Sequence, residues 1–180
     1  MLPKQYAWLA SEPGPRILLS ALKTYGVAET PGAGNTAEIL AWARRTGLDR
    51  LYKADATAWC GLWVAFVALD AGFPPEFANP LGARNWLAWG HRPEVPGLGD
   101  VLVFWRGSRG GWSGHVGLYV GEDREAFHVL GGNQSDRVSI KRIDKGRLLG
   151  ARRCNWRIAE PANVRVVGLA ATGALSTNEA

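Results

Sequence analysis

Cysteine is scarce in this chain: Cys60 and Cys154 are the only two among 180 residues. Two are too few for a disulfide framework, and they lack the paired spacing of a zinc ribbon or finger. The sequence leaves a single Cys60–Cys154 bridge open, because it does not give their distance. Histidine is as sparse, and His91, His115 and His128 show no metal-ligand spacing, so no metal and no other cofactor is expected. Long apolar runs are missing too. The longest, Ala56 to Leu69, stops at Asp70, short of the roughly 20 residues that a membrane span requires. The opening MLPKQYAWLASEPGPR reaches Glu12 and two prolines without an apolar segment, so it does not read as a secretory signal. There is no internal repeat.

What is present bounds the class. A chain of 180 residues with 47% hydrophobic content buries one core, so a single domain over 1–160 is expected. The polar, small-residue stretch 161–180 reads as a flexible tail. A net charge of +5 points to an anionic partner: nucleic acid, a membrane surface or an envelope polymer. Nine tryptophans serve cores, sugar-stacking surfaces and interfaces alike, and do not choose among these.

Periodicity changes near Pro93. Before it, Ile17, Leu18, Ala21, Leu22 and Tyr25 form a helical stripe ending at Gly26. NTAEILAWARRTG predicts a second helix with Asn35 as cap and Glu38 three residues on. A third begins in AWCGLWVAF with Thr57 as cap, and ARNWLAWG is a short fourth segment. After Pro96 the runs DVLVFW, HVGLYVG, AFHVL, DRVSIKRI and LLGARRC read as strands. Helices followed by strands predict an α+β fold with an antiparallel sheet.

Cys60 then falls in a first helical turn, where free N–H groups and the helix dipole favour a thiolate. A lone cysteine on an apolar stripe is equally a core residue. His115, at the mouth of the strand after the loop GSRGGWSG, supplies the base that thiol chemistry needs near neutral pH.

In this order, helix-start WC, PGLGDV leading into a strand, SGHVG and LGGNQSD resemble the papain-like peptidoglycan hydrolases of the CHAP and NlpC type, phage endolysins among them. The likeness covers roughly residues 14 to 154. It implies a papain-like fold, with N-terminal helices packed on a C-terminal antiparallel sheet, and cleavage of a cell-wall amide by amidase or endopeptidase action. By the resemblance Cys60 is the nucleophile, His115 the general base and acid, and helix-start N–H groups, that of Cys60 included, the oxyanion donors. The third member is either His128, as in the NlpC pattern, or Asn133, as in the CHAP pattern. Gly131 stands where many CHAP sequences carry an acid. Strand alternation lets only one of the two face the site, and Asn133 is favoured.

Trp59, Trp112 and Ser113 are expected to contact substrate, while Trp86 and Trp89 read as core or groove lining. Asp55, just ahead of the third helix, reads first as helix support. Eight basic residues lie between Arg137 and Arg157 with only Asp144 as an acid, a solvated face first and an envelope attractor second. The expected partner is bacterial peptidoglycan, met by a single copy of the chain, with neither nucleic acid nor membrane insertion. The protein would be made in the cytoplasm without a signal peptide and reach the wall or periplasm by holin- or secretion-assisted release. The competing reading is a non-catalytic wall-binding or structural module on the same fold.

Overall fold

The computed structural model describes residues 1–177 and residue 179. Apolar residues alternate along the strand runs, and a six-stranded sheet forms where they do: β1 (Val101–Trp105), β2 (Gly114–Glu122), β3 (Ala126–Gly131), β4 (Ser139–Asp144), β5 (Leu148–Arg152) and β6 (Leu175–Ser176). The order is β5-β1-β2-β3-β4-β6. All neighbours are antiparallel except β6, which runs parallel to β4. The five strands expected after Pro96 are β1 to β5, and the fold is mixed α+β.

Alternation gives the sheet two apolar faces. Val101, Val103, Val116, Leu118, Val120 and Leu130 join the main core beneath the helices. Leu102, Phe104, Tyr119, Phe127, Val129 and Ile143 form a smaller cluster on the other face. The helices are α1 (Arg16–Leu22), α2 (Ala37–Arg45) and α3 (Cys60–Asp70), with 3-10 turns at Lys4–Ser11, Ala83–Ala88 and Lys145–Arg147. Every residue of α3 from Cys60 to Ala68 is buried, so this helix is apolar all round and sits inside the domain. Trp63 of this helix, with Trp59 and Trp86, is among the largest fully buried side chains, and each contributes several times the roughly 0.8 kcal/mol of a buried methylene. The start of β1 is tied to the end of β5 by Asp100, whose carboxylate accepts from Arg153 Nε (2.8 Å) and Nη2 (2.7 Å) and from the Gly97 N–H.

Both expected helix caps move by one or two residues. The N-cap of α3 is Trp59, not Thr57, because the chain first turns at 54–57 and Thr57 is spent in that turn, its carbonyl accepting from Tyr52 Oη. The N-cap of α2 is Thr36, not Asn35, whose Oδ1 instead accepts the Asp55 N–H at 2.9 Å.

The stretch 161–180, expected to be mobile, is laid on the body over its described residues. Leu98 N–H donates to Arg165 O, Glu122 N–H to Val167 O, and Leu169 N–H returns to Glu122 O. Val167 packs on the second apolar face, which explains why a polar-looking segment docks: the face would otherwise be wet.

Gly61 shows how tightly α3 is seated. A Cβ there would stand 2.4 Å from Leu81 O and 2.5 Å from Pro80 O, both backbone atoms that cannot swing away. Gly61→Ala is expected to destabilise the fold by about 1–3 kcal/mol. Urea unfolding against wild type would measure it, and an unchanged midpoint would contradict this packing.

Candidate functional site

Helix α3 starts with no side-chain cap, so its first N–H groups remain for other uses. Cys60 opens this helix, and its thiol is buried there. Backbone N–H groups of Val116, Gly61 and Cys60 itself favour its thiolate, but burial outweighs them and the thiol's pKa is raised. Val116 directly follows His115, so the helix-start thiol lies near the first residues of β2, which carry the imidazole.

His115 is buried, and its Nε2 lies 3.1 Å from Gln134 Oε1. Gln134 is itself fully buried, and its amide nitrogen donates to two carbonyls, Val129 O and Ser139 O. Those acceptors fix which end of the amide is oxygen. An oxygen facing Nε2 requires a proton on Nε2, so neutral His115 carries its lone pair on Nδ1. Gln134 therefore does what an orienting residue does: it selects the tautomer that leaves a base. Burial pulls the His115 pKa down to about 4, with Glu179 and Gln134 acting in the opposite direction.

Neither expected third member holds His115. His128 is engaged at both nitrogens elsewhere, with Tyr6 Oη at 2.7 Å from Nδ1 and Asp123 Oδ2 at 2.9 Å from Nε2. Asp123 also pairs with Arg142 Nε at 2.7 Å, making a buried structural network. Asn133, with its amide oriented to suit its neighbours, donates to Glu29 Oε1 and accepts the Trp59 N–H, both at 3.3 Å. It positions the start of α3 and leaves the imidazole to its neighbour.

The turn carrying these residues is tight. Among the described residues, three of the four non-glycine positions with positive φ fall within it: Asn133 (53°), Ser135 (56°) and Asp136 (58°). Such conformations cost about 1–2 kcal/mol each, least for Asn and Asp, and are held only where surroundings over-determine them. Gly132 lets the turn touch α3, since a Cβ there would meet Trp63 Cβ at 2.6 Å and Trp59 Cζ3 at 2.7 Å.

The tryptophans divide. Trp59, expected to meet substrate, is fully buried with its indole N–H on Glu29 Oε1 at 2.6 Å, so it is packing. Trp86 and Trp89 are core. Trp112 is 92% exposed. It rides on the β1–β2 loop, which Arg84 pins by donating to Ser108 O, Arg109 O and Ser113 O, each at 2.8 Å. A large aromatic held out in water on a fixed loop suits stacking against a ligand. Ser113 is half-buried and enters this clamp through its carbonyl.

Asp55 accepts the N–H groups of Thr30 and Thr36, so it ties the 30–36 loop and does no chemistry. Cys154 is a free, buried thiol pushed up to about 12, chiefly by burial, and Cys60 is free as well. Of the eight basic residues from Arg137 to Arg157, Arg142, Lys145, Arg147 and Arg153 are ion-paired within the chain, which halves any field they present to a partner. Among the described residues, no group of three His, Cys, Asp or Glu could hold a metal ion, and no helix is long and apolar enough to cross a membrane. Two cavities, of about 630 and 380 Å³, lie near Phe73 and are lined by neither Cys60 nor His115.

No protein-family model matches the chain, and no curated protein matches it.

Sequence reasoning passed over Gln134, Glu29, Arg147 and Glu179. Of these only Gln134 had a signal, being the one other amide in GGNQSD.

Two outcomes follow from His115. Gln134→Ala is expected to lose the Nε2–H tautomer, read from imidazole nitrogen shifts by NMR, and to cost about 1–3 kcal/mol by leaving a buried donor unmet. An unchanged tautomer would remove Gln134 from this role. Because the folded-state pKa lies below the unfolded 6.5, the unfolded chain binds the extra proton between those values, and stability is lost as pH falls from 6.5 toward 4. The loss is at most about 3 kcal/mol from this group. His115→Gln should flatten that slope in urea titrations, with the His128 contribution common to both proteins.

Proposed function

We propose that this chain is a cysteine-dependent hydrolase of papain-like architecture that cleaves an amide bond of bacterial peptidoglycan, after assisted release from the cytoplasm. The observation that carries this reading is the imidazole whose tautomer is set by Gln134, on a strand whose next residue, Val116, lies near the thiol at the uncapped start of α3. The order of WC, PGLGDV, SGHVG and LGGNQSD supports the same reading from the sequence.

The chemistry would run in two halves. His115 Nδ1 takes the Cys60 proton as sulfur attacks the carbonyl carbon, and the Cys60 N–H steadies the oxyanion. The imidazolium then protonates the departing amine as the C–N bond breaks, leaving a thioester. Water, deprotonated by His115, attacks that thioester; the carboxylate leaves and the thiol is restored. Trp112 would offer a stacking surface at the mouth.

A second reading, a non-catalytic wall-binding module, is favoured by one observation: Cys60 and His115 are both buried, which disfavours the thiolate and the imidazolium.

Clearing of purified cell walls separates the two. Cys60→Ala should remain folded and lose at least about 1,000-fold in rate, and Gln134→Ala should lose roughly 10- to 1,000-fold. Clearing that survives Cys60→Ala would exclude the cysteine mechanism, while wall binding without clearing by wild type would establish the module. Mass spectra of the released fragments identify the bond: stem-free muramic acid for an amidase, split peptide for an endopeptidase.

A further inference from the structure

Glu179 is fully buried, although it belongs to a segment rich in small polar residues. Its carboxylate is gripped from two sides by Arg147, with Nη1–Oε1 at 2.7 Å and Nη2–Oε2 at 2.8 Å. Its carbonyl accepts the Ser135 N–H at 2.9 Å. Ser135 follows Gln134, the residue that holds His115, so Glu179 is docked between the β4–β5 connection and the turn that orients the imidazole. Arg147 is anchored independently of that segment by Trp105 O, which accepts from its Nε and Nη2, while its Nη1 also donates to Ser176 O on the segment itself. A guanidinium held by backbone carbonyls keeps its fork aimed without the carboxylate it receives.

We infer that Arg147 is a carboxylate-binding subsite of the Cys60–His115 site, recognising a free carboxylate on a peptide substrate, and that Glu179 fills it as a tethered competitor. This inference rests on the hydrolase reading. A planar carboxylate is the ligand class that a bidentate Arg fork selects, and the chain supplies one of its own. Electrostatics agree: burial pushes the Glu179 pKa up, but the Arg147 hydrogen bonds and the nearby His115 outweigh it, so the net direction is down and Glu179 binds as an anion. The buried state of His115 and Cys60 is then that of a site with its competitor in place. A substrate would enter by displacing Glu179 and presenting its own carboxylate to Arg147.

The test uses the whole 180-residue chain and two alkylating probes of Cys60, anionic iodoacetate and neutral iodoacetamide. Glu179→Gln should accelerate alkylation by about 10-fold, with iodoacetate gaining more than iodoacetamide because Arg147 then lacks its anion. Adding Arg147→Gln should keep the acceleration and abolish the preference, with circular dichroism reporting that each variant is folded. A thiol that reacts in Glu179→Gln without preferring the anion overturns this inference and leaves the hydrolase reading standing. Slower alkylation in Glu179→Gln also overturns it, since Glu179 would then support the site. A thiol inert to both reagents in every variant overturns both. Should the double variant fail to fold, the ratio of the two rates within Glu179→Gln still decides.

Discussion

The amide of Gln134 is the constraint on which the site depends. Its nitrogen is committed to two backbone carbonyls, so its oxygen can face only a donor, and the donor present is His115 Nε2. That single commitment sets the imidazole's tautomer and its aim. It also explains why a turn with three left-handed non-glycine residues is tolerated: a buried amide with every group satisfied holds the turn, and the turn holds the amide. Gly132 completes the arrangement by letting the same turn touch α3, so the thiol's helix and the imidazole's partner are positioned by one loop.

A second consequence concerns α3. A Ser, Thr or Asp at its N-cap would have satisfied a first-turn N–H locally. Trp59 cannot, and its own N–H is met from outside by Asn133. The N–H groups of Cys60 and Gly61 stand near the sulfur and favour its anion, but burial prevails and the thiol stays neutral. Stability is recovered by burying the whole helix, since nine consecutive residues from Cys60 to Ala68 are covered.

Much of this was legible in the sequence because it rests on local patterns. Period-2 alternation placed β1 to β5, and a cysteine opening an apolar run together with a histidine opening a strand marked the thiol and the imidazole. What failed was extrapolation past Gly131. Alternation holds only while φ and ψ stay extended, and at Asn133 the chain passes into left-handed backbone, so the rule that made Asn133 and His128 exclusive no longer applies. The chain turns once more than a strand would, and the next residue, Gln134, comes round to the imidazole. His128 sits where alternation puts it, but one of its two partners, Tyr6, lies 122 residues away in sequence and nothing local announces it, while the other, Asp123, stands in the turn before β3. The docking of residues 161–177 and of Glu179 was illegible for a related reason. The segment's composition is that of a loop, and what orders it is a non-local demand, an apolar sheet face needing cover and an Arg147 fork needing an anion.

Burial at the centre bears on how such a site would work. A thiolate and an imidazolium are both charged, and taking the pair out of water costs more than their neighbouring dipoles return, which is why both shifts here favour the neutral forms. The same desolvation would strengthen every charge-assisted contact once substrate is enclosed. A site that is dry at rest therefore needs an entry step that admits water and substrate together, and the segment lying against Arg147 and Ser135 is the part of the chain whose removal would provide it. Activation of the thiol and recognition of an anionic substrate would then be one event, because the carboxylate that displaces Glu179 takes over its place beside His115.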